Sequence, residues 1–181
     1  MTTAAPESAV AFRSDGPFFP VVTTFFLSTI GLGPLYQADN PLRLSAKDVA
    51  SYHGLLEPQL DIDLGQIREM AERLPLGRAI IELCGMLMVS AHAIALDRAQ
   101  SNRAILESPT FEFFRHIRNT AAHGNRFTFT SDEPRRPARW RTVTLDRSIH
   151  TGMQCFGYLL NAADGLSLLS DIERALITPG S

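Results

Sequence analysis

The chain has 181 residues, 45% of them hydrophobic and 20% charged, which suits one soluble domain with a sizeable core and is short for two. That composition excludes a disordered chain, and a formal charge of −2 selects no class of partner by itself. Cys84 and Cys155 each fall within an apolar helical pattern, with no CxxC or Cys/His ligand spacing, so they read as buried reduced thiols of a cytoplasmic protein.

Residues 1–16 are small and polar, lack the basic start and apolar run of a signal peptide, and read as a flexible N-terminus. Residues 17–178 read as a single domain. From Pro17 the chain is rich in Phe, Val and Thr. Phe19, Val22, Phe26 and Ile30 recur at helical spacing, which favours a first helix, although Val21-Val22-Thr23-Thr24-Phe25-Phe26 suits a strand as well. Ser45, with Asp48 three residues on, looks like the N-cap of a short helix ending near His53-Gly54. Pro58 with Asp61 and Asp63 makes a loop, a helix follows over about 64–74, and Pro75 opens a longer one that runs to about Arg103. The apolar stretch 83–96 inside it carries His92 and is shorter than the roughly 20 apolar residues a bilayer requires. A central core helix, or one pressed against a second subunit, is therefore expected rather than a membrane span.

Ser108-Pro109 places a serine cap and a first-turn proline at the start of the next helix, with Glu112 near its beginning. Phe111, Phe114, Ile117 and Ala121 give this helix an apolar face, and Gly124 stops it. Then the period changes. Arg126-Phe127-Thr128-Phe129-Thr130 and Arg139-Trp140-Arg141-Thr142-Val143-Thr144-Leu145 alternate as strands do, around the turn composition of Asp132-Glu133-Pro134-Arg135-Arg136-Pro137. These residues predict a two-stranded hairpin over 126–145, with Trp140 as a strand anchor. A last helix is expected over about 149–176, with Cys155, Leu159, Leu160, Leu166, Leu169 and Ile172 facing inward.

The chemistry concentrates in Arg115-His116-Ile117-Arg118-Asn119-Thr120-Ala121-Ala122-His123-Gly124-Asn125. Residues 115–147 hold eight arginines against Asp132, Glu133 and Asp146, a balance of +5, whereas residues 1–114 carry eight basic and thirteen acidic groups, a balance of −5. Arginines stay charged and present paired donors, which suits a phosphate ligand. Arg115 and Arg126 flank the histidine and are assigned to phosphate or RNA binding, with His116 as a secondary contact. Arg135 and Arg136, at the presumed tip, read as a solvated edge. Histidine exchanges protons near neutral pH, so His123 at the helix end is suited to act as base or acid. No His or Cys spacing indicates a metal, and no cofactor is expected.

The run Arg118-Asn119, three residues, His123 resembles the motif of the HEPN (higher eukaryote and prokaryote nucleotide-binding) family: an arginine, four to six residues, then a histidine, often with a polar residue after the arginine. The likeness is concentrated in residues 113–127. It implies an all-α bundle of about five helices, with the 126–145 hairpin inserted before the last helix. It further implies a homodimer in which two motifs face one another. By the resemblance the protein is a metal-independent endoribonuclease of toxin or defence type. His123 would deprotonate a ribose 2′-hydroxyl, Arg118 would stabilise the charged phosphorane, and Asn119 would position the histidine or the phosphate. The alternative is a non-catalytic RNA-, nucleotide- or partner-binding module. Expected partners are RNA, a second copy of the chain, and a separately encoded antitoxin or nucleotidyltransferase.

Overall fold

The computed structural model describes residues 12–35, 49–52 and 59–178. Among these the chain is mostly helical. Its elements are α1 (Phe19–Leu35), β1 (Val49–Tyr52), β2 (Leu60–Asp63), α2 (Leu64–Arg73), α3 (Leu76–Ala99), α4 (Arg103–Leu106), α5 (Pro109–Ala122), β3 (Arg139–Trp140), β4 (Val143–Thr144), α6 (Arg147–His150) and α7 (Ala162–Ile177). They group into two compact units, one formed by residues 1–25 with 81–181 and the other by residues 26–80.

In the unit of residues 26–80, β1 and β2 pair antiparallel with Val49 opposite Asp63 and Tyr52 opposite Leu60. This corrects the short helix expected from Ser45 to His53: Val49–Tyr52 is a strand, while Ser45, Asp48 and His53 lie outside the described residues. Tyr and Val favour the pleated backbone, and the partner strand that follows in the chain supplies the ladder that a lone helical turn lacks. Asp61, expected in a loop, lies in β2, and its carboxylate accepts from the Ser51 hydroxyl at 2.6 Å. Asp63 caps α2 by accepting from the Gln66 N–H at 3.1 Å.

In the other unit, Phe18, Val22 and Phe25 are buried and Phe19 is exposed; further along α1, Phe26 and Ile30 are exposed as well. Helix α1 is as expected, but its inward stripe is displaced by a residue. Apolar side chains occupy nearly every face of α1, so their periodicity does not select the buried one. Of the first sixteen residues, Arg13 donates its backbone N–H to the buried Glu173 carboxylate at 3.4 Å, and Phe18 donates to the same group at 3.4 Å. Helix α3 is long and apolar enough to cross a membrane by length and composition. Within this unit it buries Cys84, Leu87, Met88, Ala91 and Ala95, as a core helix does. It packs against the last turn of α5 at Gly85, where a Cβ would meet the Ala121 Cβ at an ordinary van der Waals distance of 3.6 Å. Cys84 and Cys155 are free and buried. Burial pushes their thiols up, to about 11 and about 12.

The predicted hairpin over 126–145 is corrected. The strands that pair are β3 and β4, both from the second half of that stretch, with Trp140 opposite Val143. The first half pairs elsewhere: Arg126 bridges Gln154, and Phe127 donates to the Met153 carbonyl at 3.0 Å. The single long last helix is corrected too. It is two helices, α6 and α7, separated by a loop that contains Cys155. Gly152 and Gly157 adopt φ of 79° and 90°, a left-handed backbone that ends a helix. Asn161 and Asp164 then form a reciprocal capping box that restarts one. Trp140 is the anchor the sequence predicts. The residue is 5% exposed, and its Nε1–H donates to Asp171 on α7 at 2.9 Å.

Candidate functional site

Local sequence alone builds the helix that carries the site. The Ser108 hydroxyl accepts from the Phe111 N–H at 3.2 Å, and Pro109 occupies the first turn, where its missing N–H costs nothing. At the other end His123 is the C-cap, and Gly124 and Asn125 both have positive φ, 70° and 63°. Asn125 donates its backbone N–H to the Thr120 carbonyl at 2.7 Å, the six-to-one bond that closes a helix through a left-handed turn. Its side chain then clamps the loop before α7. The amide donates to the Phe156 carbonyl at 2.8 Å and accepts from the Phe156 N–H at 2.8 Å. The turn holding His123 at the helix end is thereby tied to the core. Asn125→Ala removes both bonds, strands a buried donor and acceptor, and leaves an alanine in a left-handed backbone. Equilibrium urea unfolding is expected to show a loss of about 3 kcal/mol; a change under about 1 kcal/mol would mean the clamp is incidental.

The six residues singled out from the sequence have distinct surroundings. His123 is exposed, and among the described residues no hydrogen bond or ion pair engages its side chain. Arg118 is half-buried and donates from Nη1 to the Asn119 amide oxygen at 3.1 Å, so the arginine and the asparagine meet as expected. No carboxylate among the described residues pairs with Arg118. Arg126 is exposed and donates to the Gly152 carbonyl at 2.7 Å, which draws it towards the loop after α6.

Arg115 and His116 belong to a different construction. Arg115 donates to both oxygens of Glu112, at 3.1 and 2.7 Å, and to Glu133 at 2.7 Å. Its charge is spent on two largely buried carboxylates. His116 is 1% exposed, faces the Arg115 guanidinium at 3.0 Å and packs on Phe129 with ring centroids 5.0 Å apart. Burial, then the Arg115 charge, outweighs its acidic neighbours and holds its pKa below the ordinary histidine value. For Glu112 and Glu133 burial works upward, but hydrogen bonds and the charge of Arg115 outweigh it and keep both carboxyls below the usual range. The group fastens the segment around Glu133 to α5.

The rest of the basic segment is also largely engaged. Arg135 pairs with Asp132 at 3.2 Å, Arg136 with Glu107 at 3.3 Å and Arg141 with Asp171 at 3.6 Å. Arg141 also covers the Trp140 ring at 4.4 Å. Arg147 donates to the Ser131 carbonyl. The +5 balance of residues 115–147 therefore overstates the charge offered to a ligand. A groove of about 270 Å³ lined by Glu82, Gly85, Met86, Val89, Ser90 and Ala121 runs between α3 and the last turn of α5. Among the described residues no group of three or more His, Cys, Asp or Glu side chains is placed to hold a metal ion.

Two contributors were not picked out from the sequence. Glu112 was legible as an acid three residues before an arginine on one helix. Glu133, which completes the Arg115 pairing from eighteen residues away, left no local signal. Comparison with protein-family models, curated proteins and solved structures finds no match to this chain.

Proposed function

We propose that this protein is a metal-independent endoribonuclease of the HEPN type, acting as a dimer whose two Arg118–Asn119–His123 sets form one composite site. The observation that carries the reading is the contrast on α5. Arg115 is consumed by carboxylates, while among the described residues Arg118 meets no carboxylate and is braced by the neutral amide of Asn119, little more than one turn before an exposed histidine whose side chain no described residue engages. In this reading His123 takes the proton of a ribose 2′-hydroxyl and that oxygen attacks the adjacent phosphorus. The bond to the 5′-oxygen breaks as that oxygen takes a proton from the other subunit's protonated copy of the same histidine, leaving a 2′,3′-cyclic phosphate and a 5′-hydroxyl. Arg118 neutralises the charge that accumulates on the phosphoryl oxygens. A separately encoded antitoxin or nucleotidyltransferase would cover or modify the site, as in toxin–antitoxin systems.

The test is incubation of the purified protein with structured and single-stranded RNA in the presence of a chelator, with mapping of the product ends. Cyclic phosphate ends at unchanged rate with chelator are expected; absence of any cleavage overturns the catalytic reading.

The engagement of Arg115, Arg135, Arg136 and Arg141 by acids favours one alternative, a non-catalytic module that holds a nucleotide or a short RNA segment. Its signature is a shallow salt dependence, because each phosphate contact on a single strand contributes about −0.7 to the slope of log affinity against log salt. A slope of roughly −1 to −2 without cleavage would select it.

A further inference from the structure

Among the described residues two buried side-chain nitrogens have no hydrogen-bond partner, Arg118 Nε and His92 Nε2. Such atoms are rare in folded proteins, and each has a physical reason to persist. His92, on α3, is 6% exposed, and its ring lies 5.6 Å from Phe111 and 5.2 Å from Phe114. Phe114 and Arg118 stand one turn apart on the same face of α5, so the ring packs beside the turn from which Arg118 projects. Burial, followed by the charges of Arg118 and Arg115, drives the His92 pKa down to about 4. The imidazole is therefore neutral at physiological pH, with one ring nitrogen free to accept.

We infer that His92 is a positioning residue for Arg118: one ordered water takes the Arg118 Nε–H and donates to the His92 Nε2, and this bridge fixes the plane of the guanidinium. Asn119 already holds Nη1 on the other side at 3.1 Å. A guanidinium held on both edges leaves Nη2 and the second Nη1 hydrogen for an anion, the paired donors that a phosphoryl group takes. The imidazole charge state matters as much as its place, since a protonated ring would repel the arginine it is meant to hold. The consequence for RNA cleavage rests on the function proposed above; the positioning does not.

The experiment is nitrogen NMR of the ¹⁵N-labelled protein, wild type beside His92→Gln and His92→Phe, with thermal unfolding as the control for fold. In wild type at neutral pH the His92 Nε2 resonance should be that of an unprotonated nitrogen, and the Arg118 Nε–H should exchange slowly with solvent. His92→Phe should speed that exchange about tenfold, the worth of a hydrogen bond to a charged group, and His92→Gln, whose amide oxygen accepts, should restore part of the protection. If the RNA is cut, kcat should fall about tenfold in His92→Phe with KM little changed, and recover in His92→Gln.

A protonated Nε2 in wild type, or equal Arg118 exchange in all folded variants, overturns the proposal. If His92→Phe fails to fold, the wild-type Nε2 resonance and the His92→Gln exchange rate decide it. A wild type that cuts no RNA removes the ribonuclease reading, and the two nitrogen resonances still decide the role of His92.

Discussion

His123→Ala is expected to lower RNA cleavage by roughly 10²- to 10⁴-fold, the range for losing a positioned acid or base. Arg118→Ala should cost about 10²- to 10³-fold, as removal of a donor that faces developing charge does. The double variant should be scarcely worse than the poorer single one, because groups serving one transition state do not contribute independently. Arg118→Lys should recover little: an ammonium is a point charge and cannot present the paired donors of a guanidinium. His123 is exposed with a side chain unengaged among the described residues, so its replacement should move unfolding free energy by no more than about 0.5 kcal/mol. Single-turnover cleavage assays with parallel urea unfolding would check both halves. Cleavage at the wild-type rate in either variant would remove these residues from the reaction.

Arg115→Ala is expected to act on stability instead. It leaves the Glu112 and Glu133 carboxylates, 6% and 9% exposed, without their shared cation. Breaking a buried pair by removing one partner costs about 3 kcal/mol, taking the lower end of the usual range because Arg115 itself keeps some exposure. Arg115→Lys should recover only part of that, since one ammonium cannot hold two carboxylates in the same geometry.

The same group gives the fold a pH dependence of definite sign. Glu112 and Glu133 have folded pKa values below their ordinary ones, so the stability they lend is present above roughly pH 4.3 and is lost as pH falls through their folded values. His92, lowered to about 4, and His116, also lowered, act in the same direction. From roughly pH 6.5 downward the unfolded chain binds protons at these rings that the folded chain refuses. Unfolding free energy should therefore decline between about pH 6.5 and 4.5, with a slope approaching about 1.4 kcal/mol per pH unit from His92, to which His116 adds in the same direction. His92→Gln should reduce the slope, and a flat profile in the wild type over that interval would contradict the burial assigned to both rings.

The ends of α5 were legible in the sequence because capping is a local affair: Ser108 and Pro109 begin the helix and Gly124-Asn125 ends it through bonds that span at most five residues. The adjacency of Arg118 and Asn119, and the exposure of His123 at the C-cap, follow from those ends. The restart at Asn161 was equally local, but the run of leucines around it matched a continuous helix and obscured it.

Tertiary structure decided which charges are free and which strands pair. Arg115 and Arg118 are alike in sequence, two arginines one turn apart on the same helix. One is neutralised by Glu112 three residues before it and again by Glu133 from a distant segment, and among the described residues the other meets no carboxylate. The run 126–130 alternates like a strand, yet its partner is the loop at 152–155, because the left-handed glycine at 152 turns that loop back alongside it. His92 lies in an unbroken apolar stretch and has no distinguishing neighbours in sequence; only the approach of α5 puts its ring beside Phe114, one turn before Arg118. Residue type and cap chemistry determined where this helix begins and ends and which side chains it offers. Long-range packing, through burial and ion pairing, decided which of them remain available to a ligand.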